Sequence, residues 1–260
     1  ALAMRRLIFW LLAGLFSTAI TVLAFLPAAY LNPVIEKQTG GRFSLGDAQG
    51  TVWQGSAFVG IAPAANEAIT PLLPGRFSWH ISPLLLLGSV EIHLANPDVL
   101  SNPVFITGSW REFNISPAEI ILPAERLVSL GAPLNTIQPS GKMRLSWHSL
   151  TLIPAQGMAG ITGQINLAMQ DIASRLSPVK PLGNYDLNFA WRDQVAAVSL
   201  TTEKGPMLLE GAGTIKNGHL QFSGTAQAAA GQEEKLANLL NLLGQSQNVN
   251  GKTITRLEFK

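Results

Sequence analysis

The side chains best able to do chemistry in this 260-residue chain are its four histidines and its scattered carboxylates. His80, His93, His148 and His219 never fall at metal-ligand spacing, and no His-Glu-x-x-His motif exists. Each sits on the polar side of an alternating stretch and reads as a solvated side chain. Glu119, Glu125, Glu203 and Glu210 belong to different elements, with nothing to pair two of them as acid and base. No Gly-x-Ser-x-Gly nucleophile elbow occurs. Gly41-Arg42-Phe43-Ser44-Leu45-Gly46-Asp47 has the glycine spacing of a phosphate loop, but Asp47 stands where a lysine would have to reach the phosphates. Gly211-Ala212-Gly213 opens a dinucleotide-like pattern that never gains its third glycine. The chain has no cysteine, which excludes disulfide scaffolds, Cys-ligated zinc and thiol catalysis. The expectation is a protein that is not an enzyme, with no catalytic, cofactor-binding or metal residues and no cofactor.

The elements around these residues begin with a membrane segment. Leu7 to Leu26 carries no charge, and its polar side chains are hydroxyls apart from the Trp10 indole. At about 1.5 Å per residue such a run spans roughly 30 Å, the thickness of a bilayer core. Arg5 and Arg6 precede it and Pro27 follows it. A positive flank stays cytoplasmic, so the bulk of the chain belongs on the far side. The run is longer than the ~7–15 residues of a signal-peptide core, and Leu26-Pro27-Ala28-Ala29 makes a poor cleavage site, so a retained anchor is expected. Ala1-Leu2-Ala3 ahead of Met4 reads as an artificial extension, and residues 1–6 as that extension plus a cytoplasmic tail. Residues 27–40 read as a linker.

The remainder reads as strands. Ile165, Leu167 and Met169 alternate with Gln164, Asn166 and Gln170; Tyr185, Leu187, Phe189 and Trp191 alternate with Asp186, Asn188 and Ala190. Val90, Ile92 and Leu94, and Leu220 and Phe222, follow the same period of two. That pattern belongs to antiparallel sheet with one face on a core and one face wet. Met143, Leu145 and Trp147 change parity to Leu150 and Leu152, so a bulge or bend is expected near His148–Ser149. Lys216-Asn217-Gly218 marks a hairpin turn. Leu236, Leu239, Leu240 and Leu243 form one stripe of a helix over 232–243, and a shorter helix is expected over 123–130, ending at Gly131.

Two segments share one grammar. Each has a tryptophan strand (Ser78-Trp79-His80; Ala190-Trp191-Arg192), further strands, and a Glu-Arg/Lys-Leu helix ending in Leu-Gly. Each then has Gly-Lys (Gly141-Lys142; Gly251-Lys252) and a strand reaching an aromatic. The separation of Trp79 from Trp147 equals that of Trp191 from Phe259. Ala48-Gln49-Gly50 before a strand around Trp53 is echoed by Ala155-Gln156-Gly157. The fold class expected is mainly β: a curved antiparallel sheet of two duplicated β-rich units, 41–153 and 154–260, each with a short covering helix, plus the N-terminal transmembrane helix over 7–26. Trp79, Trp147 and Trp191 are expected inside, in phase with Phe77, Leu145 and Phe189.

Residues Gly41 to Ala57, with Gly50-Thr51-Val52-Trp53-Gln54-Gly55, resemble the "G-x-V-x-L-x-x-A-x-G-T-x-W-x-G-x-A" opening of the type II secretion system protein N family. The likeness continues in Phe77-Ser78-Trp79, in Ser82 to Gly88, in Leu130 to Gly141 and in Pro206 to Gly213. It implies an inner-membrane accessory component of the machine that exports folded proteins across the outer membrane of Gram-negative bacteria. The motifs are turns, glycines and tryptophans, and carry over no catalytic residue.

Two function classes follow. One is a structural and interaction protein: a single-pass inner-membrane subunit showing a β-rich periplasmic scaffold to other inner-membrane and periplasmic secretion subunits. The alternative is an anchored periplasmic module for apolar ligands or lipids. A carrier should keep an apolar concavity open; a scaffold should have it plugged by helices. Apolar residues make up 47% of the chain and charged residues only 13%, too few for a disordered solvating chain. Beyond Arg5 and Arg6 the 16 acidic residues are matched by as many basic ones, which argues against a nucleic-acid partner.

Overall fold

The computed structural model describes residues 2–39, 41, 43–61, 70–71, 73–130, 134–155, 159–216, 219–249 and 252–259. The chain opens with helix α1 (Leu2–Ala24), a 3-10 turn (Ala28–Tyr30) and helix α2 (Leu31–Gln38). Strands follow: β1 (Phe43–Gly50), β2 (Gln54–Ile61), β3 (Thr70–Pro71), β4 (Phe77–Ile81), β5 (Ser89–Ala95), β6 (Val104–Ser109), β7 (Glu112–Ile115) and β8 (Ala118–Pro123). A 3-10 helix (Ala124–Leu130) and α3 (Leu134–Ile137) lead to β9 (Pro139–Trp147), β10 (Leu150–Ile153), β11 (Gly160–Ser174), β12 (Gly183–Asp193), β13 (Val195–Lys204), β14 (Met207–Lys216) and β15 (His219–Ala228). Helix α4 (Glu233–Leu243), β16 (Gln245–Val249) and β17 (Lys252–Phe259) complete the chain.

All strand pairings are antiparallel, and they join the strands into one open sheet. It meanders from β1 through β2, β4, β5 and β6 to β7, crosses to β10 and β11, and continues through β12 to β15, β17 and β16. β7 and β8 run in tandem, as do β10 and β9; β11 is long enough to pair with both of the latter. The parity change in the sequence is the reason. β9 ends at Trp147 and β10 begins at Leu150, so the apolar side chains return to the same face after a bend at His148. Gly163 (φ 141°) lies opposite that bend, where any Cβ would meet the side chain of Leu150 and the Ser149 carbonyl.

Directly opposed residues share a face of a sheet. Trp147, Ile165, Phe189, Val198, Gly213 and Phe222 are successive partners across six strands, so the apolar face is continuous. Glycine enters this row for room: a Cβ on Gly213 would collide with the Gln221 carbonyl oxygen and with Phe222. The opposite face is wet, as in β13, where buried Ala196 and Val198 alternate with exposed Val195, Ala197 and Ser199.

Three segments cover the apolar face. The stretch expected as a linker, residues 27–40, contains the Ala28–Tyr30 turn and α2; Ala28 is buried with Ala57 and Trp79. The loop between β5 and β6 inserts Val99 and Leu100 beside Val104. Helix α4 lays Leu236, Leu239 and Leu240 on Tyr185, Met207, Ala226 and Leu257. The 232–243 helix is thus present with its stripe inward. The 123–130 helix is a 3-10 helix; its expected stop, Gly131, lies outside the described residues. Each helix packs on strands of its own half, the 3-10 helix on β9 and α4 on β15, β16 and β17, and Leu127 and Leu239 meet across one shared cavity. The Trp expectation holds: Trp79 is buried, and Trp147 and Trp191, near strand ends, are mostly buried. Trp53 is not in a strand; it sits in the β1–β2 turn, and the Gln156-Gly157 echo lies outside the described residues. The Asn217-Gly218 turn also lies outside them, but β14 and β15 pair up to Lys216 and His219 on either side.

The N-terminal helix ends at Ala24, earlier than the expected Leu26, because Leu26 and Pro27 bond to the β1–β2 turn. Among the described residues no helix is long and apolar enough to cross a membrane.

Replacing fully buried Leu236 with Ala should lower stability by about 2–5 kcal/mol. Leu242→Ala, on the exposed side of the same helix, should change it by less than about 0.5 kcal/mol. Urea unfolding followed by tryptophan fluorescence checks the pair. Equal midpoints for the two variants would mean that α4 does not hold the sheet face.

Candidate functional site

The built feature nearest the N-terminal helix is the Gly50–Gly55 turn. Gly50 (φ 84°) turns the chain in a conformation that L side chains rarely adopt, and Thr51 N donates to Gln54 O at 2.8 Å. The turn then grips the end of α1. The Trp53 indole Nε1–H donates to Leu23 O at 2.7 Å, Val52 N donates to Leu26 O at 2.8 Å, and Thr51 bridges to Pro27. The first of these bonds reaches a carbonyl of the last helical turn, and the others hold the residues just past it. The turn is held from behind as well: Trp79 Nε1 donates to Val52 O at 3.0 Å and Ile81 N to Trp53 O at 2.7 Å. Asn32 of α2 ties the same region together, its Oδ1 accepting from Leu45 N at 2.6 Å. A Cβ on Gly55 would meet the Trp79 ring at 2.6 Å, so glycine is required for the close approach.

Charge stiffens the hairpin beside it. β1 bulges between Gly46 and Gln49, with Asp47 in a left-handed conformation (φ 48°). Arg76 Nη1 meets Asp47 Oδ2 at 2.6 Å, Arg76 Nε donates to Ser56 Oγ at 3.3 Å, and the guanidinium stacks 4.6 Å from the Phe58 ring centre. The hydrogen bond from Arg76, and then that from Gln49, hold the Asp47 carboxyl below the usual carboxylate range.

The second feature is the cavity under the helices. It has a volume of about 280 Å³, and its walls include Leu127, Ile137, Leu182, Leu239 and Leu243. Met143, Met169 and Met207 also line it, three of the five methionines of the chain. Tyr185 is the polar exception, and its hydroxyl donates to Met207 O at 2.9 Å; burial raises its pKa. Nothing in this wall invites a charge, whereas flexible thioethers adapt to apolar shapes.

The residues first considered for chemistry stay dispersed. His80 and His93 are register partners on β4 and β5 with ring centres 6.2 Å apart, and both are exposed, as are His148 and His219. Among the described residues no group of three His, Asp or Glu could hold a metal ion. Glu119 pairs with Arg144 at 3.3 Å, Glu125 accepts from Gly141 N, and Glu203 and Glu210 are exposed on β13 and β14. Gly211-Ala212-Gly213 lies mid-strand and opens no helix. Gly46-Asp47 belongs to a strand bulge rather than a turn into a helix, and Arg42 of that stretch lies outside the described residues. Sequence reading missed the junction itself. Trp53 and Leu23 are far apart in the chain, and only the Gly-Thr-x-Trp-x-Gly motif signalled the turn.

Fold and site together define a class: an open antiparallel meander with one covered face, its first hairpin clasped to an N-terminal apolar helix. The chain belongs to the type II secretion system (T2SS) protein N family, whose model it matches over residues 41–256. Comparison with curated proteins and with solved structures gave no significant match. The matched span takes in β1 through most of β17 and includes the clasping turn.

The Asp47–Arg76 pair predicts an acid dependence. An unfolded Asp titrates near 3.9, and in the folded chain Asp47 titrates lower. Its contribution is therefore full above that unfolded value and fades as pH falls through the lowered one. The parent should outlast Asp47→Asn in urea at neutral pH, and the gap between their midpoints should close below about pH 3–4. A gap unchanged from neutral to acid pH would show that the ion pair does not support the hairpin.

Proposed function

We propose that this chain is an accessory inner-membrane component of the type II secretion machinery that holds a periplasmic β-scaffold at the membrane for other secretion subunits. The observation that carries this reading is the clasp. Hydrogen bonds from Trp53 and Val52 make the sheet continuous with α1, so partners bound to the sheet are held at a set place relative to that helix. Large side chains along α1, among them Phe9, Leu12, Leu15, Phe16, Ile20 and Val22, are exposed all round it, as suits a helix surrounded by lipid. Together with the uncharged Leu7–Leu26 run and Arg5-Arg6, this supports a single-pass anchor with the N-terminus cytoplasmic and the bulk periplasmic. The open edge of the sheet at β16 offers unpaired backbone for strand addition by a partner, whereas the edge at β1 is covered by α2.

Duplication is part of the same proposal. β4, β5, β6 and β7–β8, a helix, then β9 paired back on β8 parallels β12, β13, β14, β15, a helix, then β17 paired back on β15. This supports two like units over 41–153 and 154–260.

A second reading, the apolar-ligand module, is favoured by one observation, the cavity. An engineered cavity of about 150 Å³ lined by Leu, Ile and Phe stays dry and binds benzene. The cavity under α4 is larger and as apolar. If it carries ligand, a fluorescent fatty acid such as cis-parinaric acid should brighten on the parent and not on Ala173→Phe, which narrows the wall. Equal signals would remove this reading.

A phosphatase fused to the C-terminus tests the leading one. Activity in the periplasm is expected, together with co-capture of other secretion subunits from solubilised membranes. An inactive, cytoplasmic fusion, or release of the chain as a shortened soluble form, would overturn the topology.

A further inference from the structure

At the clasped end of the sheet the chain places a second apolar feature that no residue of the core uses. After β4, Pro83–Leu87 forms a 3-10 helix of one proline and four leucines, closed by Gly88 (φ 94°). Leu84 and Leu86 are each 49% exposed, Leu87 is 83% exposed, and Trp110, in the β6–β7 turn, is 57% exposed. The turns are one unit: Trp110 Nε1 donates to Leu85 O at 2.6 Å and Trp110 N to Gly88 O at 3.2 Å.

Its position follows from the register. Gln54 opposes His80, Ile81 opposes Ile92, and Ser89 opposes Ser109, so the ends of β4 and β6 and the starts of β2 and β5 lie at one end of the sheet. That is the end occupied by Trp53. A short bonded path joins the features: Leu23 of α1 to Trp53, Trp53 to Ile81, and two residues later Pro83. The leucine tip and the exit of α1 therefore stand side by side.

We propose that the Leu84–Leu87 turn and Trp110 dip into the lipid–water interface beside α1, as a second membrane contact that sets the tilt of the sheet on the bilayer. The proposal rests on the reading of α1 as the membrane anchor. The chemistry fits this occupant. Irregular backbone enters an apolar layer only when its polar groups are bonded, and here Leu84 N, Leu85 N and Gly88 N all donate within the turn. The Trp110 N–H is bonded to Leu85 O within the same tip, so the ring meets the surroundings with an apolar face, on a residue type enriched at membrane interfaces. Arg111 follows it directly, placed for anionic headgroups. An apolar patch of this kind on a water-facing loop needs a cover, and the continuity with α1 selects lipid.

The chain has no native cysteine, so single-cysteine variants report cleanly. The full chain is reconstituted into vesicles of phosphatidylethanolamine and phosphatidylglycerol, with an environment-sensitive fluorophore on Leu86→Cys, Leu87→Cys, Phe16→Cys in α1, or Ser101→Cys at the other end of the sheet. Doxyl lipid carrying the quencher about 5–10 Å below the headgroups should quench the labels at 86 and 87 strongly, and Ser101→Cys little. Dark labels at 86 and 87 without quenching at 16 would leave the tip contact standing and remove the anchor. Quenching at 16 alone would leave the anchor and overturn the tip contact; quenching at neither would overturn both. Labels at 86 and 87 that become shielded only when secretion subunits are added would overturn the lipid contact in favour of a protein one.

Discussion

A sheet with one apolar face must hide that face along its whole length, and the rest of this structure answers that need. Each strand adds a row to the face from its alternating residues, as Phe189, Val198 and Phe222 do. Because the meander stays open, closure into a barrel does not supply the cover. Segments between strands supply it: the 27–38 stretch over Trp79, the Val99–Leu100 loop over Val104, and α4 over Tyr185 and Met207. The burial they provide is what lets short helices persist, since a helix of 11 residues such as α4 is marginal alone in water.

Tryptophan joins cover to sheet by a repeated device. Trp53, Trp79, Trp110 and Trp147 each donate an indole N–H to a carbonyl outside the strands: those of Leu23, Val52, Leu85 and Ser116. A buried or half-buried carbonyl in a turn is costly without a donor, and the indole delivers one from a large apolar body. The same residue type thus fills space on the face and locks the bends that shape it.

Where α4 meets the 3-10 helix Ala124–Leu130, side chains that differ in length leave the cavity beside Met143 and Met169. The two helices, each packed on the strands of its own half, meet there without filling the face between them. Scaffold and apolar-ligand readings therefore meet at the same few residues.

Much of the fold was legible in the chain order because a period of two needs only local chemistry. The strands over 164–170 and 185–191, the parity break at His148, the Leu236–Leu243 stripe and the uncharged Leu7–Leu26 run are each set by neighbours a few residues apart. The protein N resemblance was likewise carried by local turn motifs, and the family match bears it out. The junction was not legible, because Trp53 and Leu23, or Arg76 and Asp47, become neighbours only when strands pair. The tertiary structure alone decided that residues 27–38 fold back as cover, that two helices converge on one cavity, and that the Leu84–Leu87 tip stands beside α1. Each of these depends on which strand lies next to which, a long-range choice made by burial of the shared face rather than by any local pattern.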